Sequence, residues 1–349
     1  MNTAKIVRNC TNSVVVWKAN KMDLKKLKGL SKSLSLKFVD EKVPTRNGYG
    51  DALVELGKKN KNIMVLCADL VESTRVDKFK KKFPKQFVEI GVAEQNLVTV
   101  ASGLAAMGKI PFASSYAMFC PGRCWEQIRT TICYNNRNVK IIGAHAGVSV
   151  GPDGATHQAL EDIAIMRTLP NMIVVVPADY EQTKKATLAI ARYKGPTYMR
   201  FAREKTPQFT TSKTPFKLGV AQVLKEGKDV CIIAAGPVVY ECLVAAESLR
   251  EEGINAMVIN SHTIKPLDEK TILSAAKKCK CVITVEEAQI IGGLGGAVAE
   301  LLSEKYPTEL KRIGVRDHYG ESGSPDELLK KFGFDANSIF KSVLKYCKR

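Results

Sequence analysis

From about residue 44 onward, short apolar runs alternate with longer amphipathic ones. The run "NIMVLCADL" at 62–70 predicts a buried strand, and "LVTVASGLAAMG" at 97–108 predicts a helix. "GRCWEQIRTTICY" at 122–134 has apolar positions at helical spacing. "NVKIIGAHAG" (138–147) and "NMIVVVPAD" (171–179) are β-branched strand patterns; "DYEQTKKATLAIARY" (179–193) is a helix pattern and "PTYMRFAR" (196–203) a strand. Such alternation predicts an α/β fold, a parallel sheet with helices on both faces. The polar, Pro/Thr-rich "REKTPQFTTSKTPFKLG" (203–219) interrupts it. The alternation then restarts through "DVCIIAAG", "VVYECLVAAESLREEG", "INAMVIN", "KCVITVEEA", "GGLGGAVAELLSEKY" and "RIGVRD". The expected organisation is a poorly ordered basic arm (1–40), a first α/β domain (41–205), a linker (206–218) and a smaller α/β domain (219–349).

The 349 residues suffice for two cores, since single cores rarely grow past ~250–300 residues. No apolar stretch approaches the ~20 residues that span a bilayer, and the first residues lack the apolar core of a secretory signal. The expectation is a cytoplasmic protein without membrane contact. Nine Lys/Arg against two Asp in residues 1–40 leave a short transit peptide open. The ten cysteines are scattered through apolar stretches without paired CxxC units, the pattern of buried reduced thiols. A net charge of +18 raises nucleic-acid binding. However, the lysines lie in helix-like faces ("DKFKKKFPK", "DELLKKFG") without interleaved aromatics, as solvated surfaces do. A basic surface also suits small anions such as sugar phosphates.

Ligands of α/β sheets sit at the carboxyl ends of strands. Asp69, Glu94, His145 and Arg203 all fall just past predicted strand ends. The stretch "AHAGVSVGPDGATHQALEDIA" (144–164) gathers His145, Asp153 and His157, two of the chain's four histidines, around Gly-rich backbone. Its structural alternative is capping of a helix "HQALEDIAIMR" by Asp153 and Thr156. Histidines twelve apart without an HxxxH unit lack zinc spacing. Two histidines and an Asp around such a loop suit a hydroxylated or phosphorylated substrate. "GGLGGAVAE" (292–300) suggests a dinucleotide turn, but Val298 stands where the last small residue of GxGxxG belongs.

Glu94, in "VEIGVAEQNLVTVASGLAAMG", joins a strand-like run to a helix-like one. A carboxylate in a first helical turn gains ~0.3–1 kcal/mol from the macrodipole. The apolar flanks also predict burial, which disfavours the ionised form and suits proton exchange with a heterocyclic nitrogen.

In order, "GVAEQN", "FASSYAMF-x-x-GR-x-WEQIR", "H-x₇-DGATHQ-x-x-EDIA", "PNMIVVVPAD" and "IKPLDE…GGLGGAVAE" resemble the C-terminal half of transketolases. The similarity runs from about Val43 to the end and is closest to the separate C-terminal subunit of split forms. It implies a pyrimidine-binding domain followed by the family's C-terminal domain, and transfer of a two-carbon ketol unit from a ketose phosphate to an aldose phosphate. It implies that Glu94 hydrogen-bonds the aminopyrimidine of thiamine diphosphate, Phe119 stacks on it, Tyr116 lines its pocket and Asp69 lines the cleft. His145, Asp153 and His157 would meet the sugar, with His157 nearest the cofactor's amino group. Arg46, Ser73 and Arg203 would grip the terminal phosphate.

Two departures stand out. Gln95 occupies the position after the glutamate where several single-chain transketolases carry His, and Gly122 lies near the place of a third pocket aromatic. No Gly-Asp-Gly, the family's diphosphate and Mg²⁺ motif, occurs in the chain. The implied partner is therefore a separate N-terminal-type subunit holding Mg²⁺ and the diphosphate, within an α₂β₂ assembly. Other readings are a β-type subunit of a 2-oxoacid dehydrogenase, a deoxyxylulose-phosphate-synthase-like enzyme, and a non-catalytic pairing protein.

Overall fold

A computed structural model describes residues 29–35 and 40–348. Its strands, in chain order, are β1 (Val43–Pro44), β2 (Ile63–Cys67), β3 (Phe87–Glu89), β4 (Ile110–Tyr116), β5 (Lys140–Ala144), β6 (Ile173–Val175) and β7 (Thr197–Arg200). There follow β8 (Lys205–Thr206), β9 (Gln222–Lys225), β10 (Val230–Ala234), β11 (Ala256–Asn260), β12 (Thr263–Lys265), β13 (Cys281–Gln289) and β14 (Leu310–Val315). β5, β7, β10 and β11 are buried at every position, as strands covered on both faces must be.

Seven strands form one sheet in the order β12-β6-β7-β5-β4-β2-β3, parallel except for β12. Five form a second in the order β14-β13-β10-β11-β9, parallel except for β9. The expected α/β architecture is present, with an antiparallel edge on each sheet. β12 belongs by sequence to the second unit yet completes the first unit's sheet, pairing Thr263 with Val175 and Lys265 with Val174. One apolar core is continuous across this junction and includes Leu97, Ile163 and Val176 with Ile233, Ile259 and Leu294.

In the first sheet the chain leaves β2 toward β3 on one side and leaves β4 toward β5 on the other. The crevice therefore opens at the carboxyl ends of β2 and β4, where the strand order reverses. Asp69, Glu94 and Tyr116 emerge at or beside it.

Four local expectations are corrected. The stretch 203–219 is packed: Phe209 is fully buried, and its N–H and that of Thr210 donate to Asp179 Oδ2 at 3.1 and 2.7 Å. Asp179 also caps the helix Tyr180–Arg192 through Gln182 N, so one buried carboxylate anchors both segments. Residues 29–35, the described end of the basic arm, lie against the second sheet; Ser31 N donates to Leu224 O at 2.8 Å, and Leu30 and Leu34 pack on its core. Residues 1–28 and 36–39 of that arm lie outside the described residues. Within 122–134 a single α-turn, Trp125–Gln127, leads into a π-helical stretch, Ile128–Cys133. There the carbonyls of Gln127 and Thr131 accept from the Thr131 and Ser102 hydroxyls. Only Asp162–Arg167 of "HQALEDIAIMR" is helical. Gln158 Nε2 is held by the carbonyls of Val148 and Glu321 at 3.0 and 2.8 Å, which keeps the preceding residues in turns.

Nine cysteines are described; all are free and eight are buried. No described helix is long and apolar enough to cross a membrane.

Candidate active site

Glu94 is the first residue of the helix Glu94–Ala106 and is 2% exposed. Ala93 offers no capping side chain, so the carboxylate meets the positive end of the helix directly. Its Oε1 accepts from Ser115 Oγ at 3.1 Å, and its Oε2 accepts from Arg123 Nη1 at 3.1 Å. The Arg123 guanidinium also lies over the Phe119 ring, 4.2 Å from its centroid. Glu94 and Phe119, 25 residues apart in sequence, are thus joined through one side chain.

From Phe119 the contacts run on. Tyr116 stacks with it at 6.1 Å, and His157 meets it edge-on at 5.3 Å. Tyr116 also stacks on His145 at 4.3 Å. His145 Nε2 accepts from Arg46 Nη1 at 3.1 Å, and the same Nη1 donates to Ser73 O at 3.0 Å. A guanidinium cannot accept, so Nε2 holds the lone pair and the proton of neutral His145 sits on Nδ1. Nδ1 is buried and has no hydrogen-bond partner among the described residues. Burial, then the charges of Arg46 and Arg203, push the His145 pKa down to about 3. Burial and the neighbouring Arg75 and Arg203 lower that of Arg46 too.

This depression has a measurable consequence. His145 contributes its full stability above the ordinary histidine range and loses it as pH falls toward about 3. Between pH 7 and pH 4 the wild type is expected to lose roughly 2–3 kcal/mol more than His145→Gln in chemical denaturation. Parallel losses would show that His145 is not buried neutral.

Arg203 Nη1 donates to Val150 O at 2.9 Å and to Asp153 Oδ1 at 3.1 Å. Asp153 therefore ties its loop to the strand end, and the capping alternative is not realised. The loop itself is a 3-10 turn, Val148–Asp153, entered through Gly147 at φ 87°. A Cβ there would stand 2.4 Å from Glu287 Oε1, the oxygen that accepts from Ser149 N. Only glycine satisfies both conditions.

Seven of the ten residues singled out from sequence fall into this run of contacts, and Asp153 and Arg203 form a separate ion pair. Asp69 does not join it: it is exposed, at φ 57°, and its N–H donates to Glu89 Oε1 at 2.8 Å. Sequence reasoning gave no role to Arg123, Ser115, Arg75 or Gln158. Arg123 was discoverable, because an Arg four residues after an aromatic in a turning segment can fold back over its ring.

At "GGLGG" the backbone N–H groups of Leu294 and Gly295 donate to Glu286 at 2.6 and 2.7 Å. The position a pyrophosphate would need at the start of the helix Leu294–Lys305 is filled by the protein's own carboxylate. Burial, opposed by the Gly295 and Leu294 bonds, raises the Glu286 pKa to about 7. A Cβ at Gly293 would stand 2.0 Å from Glu286 Oε2. These glycines make room for a cap, and the dinucleotide reading falls.

Comparison with known proteins agrees with the motifs. Residues 41–208 match the transketolase pyrimidine binding domain, and 219–339 match the transketolase C-terminal domain. The chain is 50% identical over 308 residues to a putative transketolase C-terminal section of Methanocaldococcus jannaschii, covering 87% of this chain and 96% of that one. It is 42% identical to the 6-deoxy-6-sulfo-D-fructose transketolase subunit SqwH of a Clostridium species, covering 87% and 94%. It is also 38% identical to human transketolase, covering 87% of this chain but 49% of that protein. Among solved structures, one described as a split gene transketolase, inactive beta4 tetramer, superimposes with a TM-score of 0.82 at 47% identity, covering 88% and 99%. With both domains matched in order and half the aligned residues identical to a relative covered over 96% of its length, the chain belongs to the transketolase family.

Proposed function

We propose that this chain is the pyrimidine-site subunit of a two-subunit, thiamine-diphosphate-dependent transketolase that moves a two-carbon ketol unit from a ketose phosphate to an aldose phosphate. The observation that carries the reading is the unbroken run of contacts from Glu94 through Phe119, Tyr116 and His145 to Arg46 and Ser73. A buried carboxylate beside an aromatic face fits a flat heterocycle with an N–H to donate. When bound, thiamine diphosphate supplies an acidic thiazolium carbon that can accept and release the two-carbon unit.

This chain's residues divide the remaining work. Glu94 holds a proton at the pyrimidine ring nitrogen, and Phe119 and Tyr116 set the ring's plane. His157, edge-on to both aromatics, is assigned to pass a proton at the amino group or the substrate's hydroxyls. Neutral His145 and Asp153 orient hydroxyls, while Arg46, Ser73 and Arg203 receive the anionic tail. Asp69 lines the cleft at the end of β2. The partner subunit carries Mg²⁺ and the diphosphate site, and two copies of each chain form the α₂β₂ assembly. Support for a separate partner comes from the missing Gly-Asp-Gly and from similarity to proteins described as a transketolase C-terminal section and a split gene transketolase. The relative SqwH is named for a sulfonated sugar, so the tail is the part of the substrate most in need of testing.

Arg203→Ala is the corresponding experiment. A charge-assisted contact to a phosphate is worth ~1.5–3 kcal/mol, so KM for phosphorylated sugars is expected to rise roughly 10–100-fold. Free glycolaldehyde, which has no tail, should be much less affected. Equal losses for both would make Arg203 a support for the Val150–Asp153 loop alone.

A further inference from the structure

Arg123 makes the two contacts that the proposed function gives to the cofactor's pyrimidine. Its Nη1 donates to Glu94 Oε2 at 3.1 Å, and its guanidinium lies 4.2 Å over Phe119. The chemistry of the two groups is alike: a guanidinium and an aminopyrimidine both present a planar N–C–N unit with N–H donors. Both are satisfied by a carboxylate in the plane and an aromatic ring against the face. Two such groups cannot share the same oxygen lone pair and the same ring face.

Arg123 is also free to leave. Its side chain is 51% exposed while Glu94 is 2% exposed, so swinging outward rehydrates a group already half in water. It sits in a short 3-10 turn, Gly122–Cys124, and a Cβ at Gly122 would meet nothing within 4 Å. Glu94 cannot follow it. Its remaining partner is the Ser115 hydroxyl, and a buried carboxylate left without its cation is strongly destabilised.

We propose that Arg123 is a built-in competitor for the pyrimidine site: it holds Glu94 and the face of Phe119 and must swing out for the cofactor to dock. It lowers affinity by stabilising the chain before docking, and it keeps the buried carboxylate partnered. The inference rests on the functional reading above and deepens it.

The test is calorimetric titration of thiamine diphosphate, with Mg²⁺, into the full-length chain assembled with its diphosphate-site subunit. Arg123→Ala and the milder Arg123→Gln are compared with wild type. Both variants are expected to bind more tightly, Arg123→Ala by roughly tenfold or more, since a charge-assisted bond no longer has to be broken. Without cofactor both should melt at a lower temperature than wild type. Unchanged or weaker binding by the variants, with a wild type that binds, would overturn the inference; weaker binding would make Arg123 a cofactor ligand. No binding by wild type, or binding that Glu94→Gln leaves untouched, would remove the functional reading and this inference together.

Discussion

Glu94→Gln is expected to lower ketol transfer by the assembled enzyme by at least ~10²-fold, the range of lost acid–base catalysis, with the fold nearly unchanged. Glutamine has the same shape and keeps an oxygen to accept from Ser115 or Arg123. It cannot carry the negative charge that stabilises a proton on the pyrimidine nitrogen. Among the described residues, Ser115 and Arg123 are the side chains that hydrogen-bond Glu94, and neither is a carboxylate that could replace it. Steady-state rates of the purified variant, assembled in the absence of wild-type chain, measure the effect. Near-normal turnover would remove Glu94 from the chemistry.

A larger effect is expected from separating the subunits: the chain by itself should show no ketol transfer. In the proposed reading its residues seat a heterocycle and an anionic tail, but the 349 residues contain no Gly-Asp-Gly. A cofactor held by one ring alone forfeits the charge-assisted contacts to its diphosphate, each worth ~1.5–3 kcal/mol. Val92, two residues before Glu94, is 68% exposed, so apolar surface lies open at the rim of the proposed cofactor seat. A partner covering that rim would also exclude water from Glu94. Activity should appear only on reconstitution and should saturate at equal amounts of the two chains.

Much of the fold was legible because its strands are apolar runs and its long helices have one apolar face. "NVKIIGAHAG" predicts β5 within three residues at either end, and "DYEQTKKATLAIARY" predicts the helix Tyr180–Arg192 within one. What escaped was non-local. β12 is three residues long and pairs with a strand nearly ninety residues earlier, which no local period announces. The order within 203–219 depends on Asp179, whose carboxylate lies 30 residues before Phe209. The short helix at 162–167 is limited by Gln158, whose amide reaches Glu321, 163 residues away.

The site shows the same division. The ordered motifs brought out residues most of which the structure gathers into one run, because each stands just past a strand end or on the loop that follows. The spacing of Arg123 from Phe119 was legible, but its ion pair with Glu94 was not. Burial of that carboxylate follows from the apolar residues around it, but the identity of its cation depends on the turn at Gly122–Cys124. Likewise "GGLGG" looks like a phosphate cradle until the Glu286 carboxylate is seen to accept from the same N–H groups.

The central claim is that this chain holds one half of a shared thiamine diphosphate site. Calorimetric titration of thiamine diphosphate and Mg²⁺ addresses it directly, first into the rigorously purified full-length chain and then after addition of a partner with the diphosphate motif, ~270–300 residues long by ordinary domain sizes. Weak or no binding by the chain alone, and tight Mg²⁺-dependent binding once the partner is present, is the predicted result. Tight Mg²⁺-dependent binding by the single chain would contradict it.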